Sequence, residues 1–91
     1  MAVRLDEMAP LLLVTPNPSS PTQIRYRLLN MPSPTVTLVT LAGKPVAIQS
    51  ITDENTGDYL LRTAIALPGG VYVLRAASDS VQLSQQVVVV E

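Results

Sequence analysis

Cysteine, histidine, phenylalanine and tryptophan are all missing from this 91-residue chain. Without cysteine there is no disulfide framework and no thiolate chemistry. Without histidine the neutral-pH base of the common hydrolase triads is gone, and the two absences together remove the usual zinc ligands. Charge is also sparse, at 14% of residues with a formal net charge of -1. Arg4, Arg25, Arg27, Lys44, Arg62 and Arg75 are scattered among the acids, so no electrostatic footprint for nucleic acid forms. Arg25 and Arg27 make a short basic stripe on one strand face, enough for a couple of phosphates at most, and read as a solvated face. Long apolar runs are lacking too. Leu11 to Val14 and Val87 to Val90 are far too short to span a bilayer, so no membrane insertion is expected. The first ten residues carry Asp6 and Glu7 where a secretion signal needs an apolar centre, so any such signal is expected elsewhere on a longer parent chain.

What the chain does contain is aliphatic. Hydrophobic residues make up 47%, and the aromatics are Tyr26, Tyr59 and Tyr72. A core of Val, Leu and Ile suits a pleated sheet, while eight prolines would repeatedly break helices. The length allows one domain, which buries about 60–65% of its unfolded surface.

Residues 1–10 show no period and read as a linker or lead-in. Leu11 to Thr15 is a short apolar run that ends in the turn cluster Pro16-Asn17-Pro18-Ser19-Ser20-Pro21. Gln23 to Leu29 alternates strictly, with Ile24, Tyr26 and Leu28 on one face and Gln23, Arg25 and Arg27 on the other, and predicts a half-buried strand. Pro32-Ser33-Pro34 breaks the chain, and Thr35 to Leu41 follows as a strand. Gly43-Lys44 separates it from Val46 to Ile51 at hairpin spacing. Asp53 to Asp58 reads as a polar loop, Tyr59 to Ile65 as a strand, Pro68-Gly69-Gly70 as a turn, and Val71 to Ala77 as the next strand. Ser78-Asp79-Ser80 turns into Val81 to Val90. About seven short strands at this spacing predict an all-β fold, a seven-stranded antiparallel immunoglobulin-like β-sandwich over residues 11–91. Its expected core includes Ile24, Tyr26, Leu28, Val36, Leu38, Val46, Ile48, Leu61, Val71 and Val73.

Candidate chemistry is thin. Ser19, Ser20 and Ser80 sit in turns, where hydroxyl-to-backbone bonding accounts for them. Asp53, Glu54 and Asp58 crowd one segment but lack the alternating ligands of a calcium loop, so a solubilising loop is the reading and a calcium site its alternative. Gly69-Gly70 precedes a strand pattern rather than a helix, which fits a turn better than a phosphate loop. The tyrosines fall singly on separate strands, which fits core packing better than a sugar-stacking platform. No catalytic residue, metal site or cofactor is expected.

Taken as an ordered set, the punctuation resembles the type A C-terminal sorting domain of the Bacteroidota type IX (Por) secretion system, from about Thr15 to Glu91. Pro16-Asn17-Pro18 followed by Ile24 to Leu28 resembles the opening motif and first alternating strand of that family. Val36 to Leu41 with Gly43-Lys44 and Val46 resembles its central hairpin. Leu67, Gly70-Val71-Tyr72 and Arg75 resemble its Leu-x-x-Gly-Val-Tyr segment and the following basic residue, and Gln85 to Glu91, with Gln86, Val88 and Val90, resembles its closing strand. Val39-Thr40 stands where the family commonly has Tyr-Asp, and Gln86 where a Lys is usual.

The resemblance implies an address rather than an enzyme. Such domains end cargo proteins, are bound in the periplasm by an outer-membrane shuttle and translocon, and are removed in many members by a sortase-like protease at the cell surface. The expected partners are therefore that machinery and an N-terminal cargo domain, with the motif residues above as partner-binding positions. The alternatives are a fibronectin-type-III-like spacer and a small carbohydrate-binding module of a secreted enzyme or adhesin.

Overall fold

The computed structural model describes residues 9–15, 20–31, 33–55, 57–79 and 81–90. Among them lie seven strands: β1 (Leu11–Val14), β2 (Gln23–Leu29), β3 (Thr35–Thr40), β4 (Ile48–Asn55), β5 (Asp58–Thr63), β6 (Gly70–Ser78) and β7 (Val81–Val89). They form two antiparallel sheets, in the orders β1-β2-β5-β4 and β3-β6-β7. With the strands lettered A to G in chain order, these are the ABED and CFG sheets of the immunoglobulin constant-type sandwich. The predicted fold class is the observed one.

Alternation builds the first sheet. In β2 every second side chain, Ile24, Tyr26 and Leu28, is buried, as the two-residue period of a strand demands. Ile24, Leu38, Leu61, Leu74 and Val87 are fully enclosed, one each from β2, β3, β5, β6 and β7. Burying each contributes about 1.5–3 kcal/mol. Three connections cross between the sheets, after β2, β3 and β5, and the first and last each add one buried apolar side chain to the core, Met31 and Leu67. Leu67 is fixed there by its amide, which donates to Pro21 O at 2.9 Å. The buried Thr63 hydroxyl donates to Ile65 O at 2.5 Å, and among the described residues no buried side-chain polar atom lacks a partner.

Three expectations are corrected. Residues 35–51 do not make a hairpin, because β3 and β4 belong to different sheets. The return begins as one: Thr40 N donates to Lys44 O at 2.9 Å and Val46 N to Leu38 O at 2.8 Å, around a single bridge between Val39 and Pro45. The pairing ends there, and the chain then crosses to the other sheet, where β4 begins at Ile48.

The polar segment from Asp53 is not a loop. β4 runs through Asp53 and Glu54 to Asn55, and Gly57, at φ +82°, turns it into β5. This strand is a sheet edge with two register shifts, so polar residues suit it.

The phase of β6 is the reverse of the expected one. Tyr72, Leu74 and Ala76 face the core, whereas Val71 and Val73 are half-buried on the outer face. Of the other expected core residues, Ile24, Tyr26, Leu28, Leu38 and Leu61 are buried, and Val36, Val46 and Ile48 pack against them half-buried.

Candidate recognition surface

The motif residues fall into three groups. Pro16, Asn17 and Pro18 lie outside the described residues, as do Ser19, Ser80 and Glu91. Gly43 and Lys44 form the exposed turn after β3, where Gly43 takes φ +88° and the Lys44 amide donates to Thr40 Oγ1 at 3.1 Å. Gly70, Tyr72, Arg75, Gln86 and Val88 come together on the β6–β7 hairpin: Val71 pairs with Val88, Tyr72 with Val87 and Val73 with Gln86. Thr40 is registered against Tyr72, which sets the Gly43-Lys44 turn at the same end of that sheet as Gly70, Val88 and Val90. Leu67 and Tyr72 are core residues, while Gly43, Lys44, Gly70, Arg75, Gln86, Val88 and Val90 are on the surface.

Tyr72 holds the base of this hairpin. Its hydroxyl donates to Pro68 O, four residues upstream, at 2.7 Å. A tyrosine near the start of strand F bonding back to the preceding corner is the tyrosine corner of immunoglobulin-like sandwiches. The other two tyrosines stack across β2 and β5, with ring centroids 5.3 Å apart and planes inclined by 17°. They are neighbours rather than isolated residues, yet Tyr26 is 3% exposed and Tyr59 half-buried, so they offer no open platform for a sugar ring.

The outer faces of the two sheets differ. On the first sheet, Arg25 pairs with Glu54, and Arg27 grips Asp58 with Nε at 2.8 Å from Oδ1 and Nη2 at 3.2 Å from Oδ2. The Arg27 hydrogen bond holds the Asp58 carboxyl below its ordinary range, and Asp58 in turn raises the guanidinium. Leu60 lies on this same outward face, opposite Arg25, yet is only 5% exposed. These pairs, with Leu13 and Thr15, line a shallow trough of about 530 Å³. Each arginine of the expected basic stripe is therefore matched by a carboxylate, and the three carboxylates once grouped as a possible calcium loop do not converge: Glu54 and Asp58 bind different arginines, and Asp53 is registered against Tyr59. Among the described residues no cluster of three metal-ligating side chains forms.

The second sheet is nearly uncharged. In β3, β6 and β7 the single charged residue is Arg75. Val39, Val71 and Val73 stand on its outer face, Val39 buried at 7% exposure beside the bridging Pro45 and the other two half-buried. Sequence reasoning assigned Val71 and Val73 to the core and missed this face.

No family model matches the chain, and no curated protein matches it. Among solved structures it is similar to the titin M10–obscurin-like 1 Ig mutant complex, with a TM-score of 0.58 and 21% identity over 89% of this chain and 91% of that chain. At that identity the likeness bears on the fold, which is immunoglobulin-like.

Proposed function

We propose that this immunoglobulin-like domain is a non-enzymatic C-terminal sorting signal, read by the outer-membrane shuttle and translocon of a type IX secretion system, which carries an attached cargo from the periplasm to the cell surface or medium. The observation that carries the reading is the ordered run of motif residues. From Gly70 to Val88 they share one β6–β7 hairpin, with the Gly43-Lys44 turn at the same end of the sheet. A surface of this kind is read as a folded shape, and the domain contributes no reacting group: it has neither imidazole nor thiolate.

The direct test fuses a signal peptide, a reporter and this domain in a bacterium with type IX machinery. The reporter should reach the surface or medium with the intact domain. Removal of residues 86–91 should hold it in the periplasm, with circular dichroism on the purified variant to establish that it still folds. Export by a folded truncated domain would remove the closing strand as the signal.

The immunoglobulin constant-type strand order supports a second reading, a spacer between domains of a longer protein. A folded, intact fusion that never leaves the periplasm in any type IX host would favour it.

A further inference from the structure

The geometry points to the outer face of the β3-β6-β7 sheet as a docking surface for a polypeptide that presents an aliphatic side chain and a carboxylate about 7 Å apart, the two-residue step along a strand. Two adjacent cross-strand rows define it. In one, Val71 and Val73, half-buried and two residues apart along β6, offer the apolar contact, with the buried Val39 opposite Val73 as its backing. In the other, Thr37, Arg75 and Ser84 lie side by side across β3, β6 and β7. Arg75 is exposed and makes no ion pair among the described residues, in contrast to Arg25 and Arg27 on the opposite face. A lone guanidinium flanked by two hydroxyls beside a valine patch suits one carboxylate set against an apolar ground, where the reduced access of water strengthens a charge-assisted hydrogen bond.

Charge selects the occupant. An anionic membrane or a nucleic acid is held by clusters of cations, and this face has one. A second copy packed by a two-fold axis on the same face would bring no carboxylate to either Arg75. A polypeptide with an acid beside an aliphatic residue satisfies both rows. The inference stands apart from the export reading, since the face is the same in a signal or a spacer.

The probe is a set of extended nonapeptides with valine at alternate positions and one aspartate two residues from a valine, beside the same set with asparagine. Binding is followed by amide chemical shifts of the whole domain. The aspartate peptides should move Thr37, Val71 and Val73, and the asparagine set should bind about tenfold more weakly. Arg75→Gln should abolish the difference between the sets, whereas Arg62→Gln on the other sheet should leave it intact. Val73→Ser should weaken both sets; should that variant fail to fold, the Arg75→Gln arm decides alone, because Arg75 is exposed. The proposal is overturned by an absence of saturable binding, by equal affinity for the two sets, by shifts centred on another face, or by binding to phosphatidylglycerol vesicles in preference to every peptide.

Discussion

The hydroxyl of Tyr72 and the carbonyl of Pro68 lie 2.7 Å apart and fasten the start of β6 to the connection that brings the chain across from β5. The Tyr72 ring is buried, so Tyr72→Phe keeps the packing and deletes one hydrogen bond. The expected cost is about 1–1.5 kcal/mol, a fall in Tm of about 4–8 °C for a domain of this size. Urea unfolding should show it as a lower midpoint at unchanged slope. A variant as stable as the parent would mean that water replaces the phenol at the Pro68 carbonyl without loss.

Two glycines separate backbone strain from crowding. Gly43 and Gly57 take φ of +88° and +82°, but a Cβ on Gly43 meets nothing within 4 Å while one on Gly57 collides with Leu29 Cδ2. Gly43→Ala should cost about 1–2 kcal/mol, the penalty of a left-handed L-residue. Gly57→Ala should cost more, because Leu29 must also swing aside. In a Leu29→Ala background the excess should vanish and the two glycine substitutions should become equivalent. Persistence of the excess would locate its origin in the backbone, where the Gly57 carbonyl accepts from Leu28 N at 2.8 Å.

The phase of β6 sets a second pair of substitutions apart. Leu74 is fully buried among both sheets, whereas Val73 lies on the outer face. Leu74→Ala should cost about 2–5 kcal/mol through lost burial and the cavity it leaves. Val73→Ala should cost under about 1 kcal/mol, as surface changes do. The reverse ranking, in denaturant midpoints, would mean that β6 is turned over in solution.

This is also where the sequence was hardest to read. β2 declared its phase because Arg25 and Arg27 alternate with Ile24, Tyr26 and Leu28. β6 is apolar on both sides, so a two-residue period gives the strand without its facing. Its one charged residue, Arg75, holds the missing sign: placing it in solvent puts Val71 and Val73 outside with it. β4 was obscured for the opposite reason, since Asp53, Glu54 and Asn55 are rare in strand interiors but acceptable on a guarded edge. Pro45 gave no warning against the β3–β4 hairpin, because a proline is tolerated at the start of a strand and its bridge to Val39 turns its nitrogen away from β3. Strand number and the aliphatic core of the first sheet were legible because each rests on local pattern. The matched pairs Arg25–Glu54 and Arg27–Asp58 were not, since strand order brings together residues that are far apart in the chain.

The stacked tyrosines give the fold an alkaline limit. Burial pushes the Tyr26 phenol from 10.0 up to about 12, and the neighbouring Tyr59 adds to the rise by disfavouring a second negative charge. Below the unfolded value both states hold the proton, and the stability is fully present. Between 10.0 and about 12 the unfolded chain has released its proton while the folded chain still holds it, so the unfolded state gains and stability falls as pH rises through that window. Denaturant midpoints should therefore decline between about pH 10 and about pH 12. Tyr26→Phe removes the proton that is released and should flatten much of the decline. Tyr59→Phe keeps the desolvation of Tyr26 and should flatten less of it. Phenolate absorbance in the folded protein, read beside the midpoints, should show a late phase that disappears in Tyr26→Phe. If that variant declines with pH as steeply as the parent, the alkaline limit belongs to another group, and the packing of Tyr26 against Tyr59 has no part in setting it.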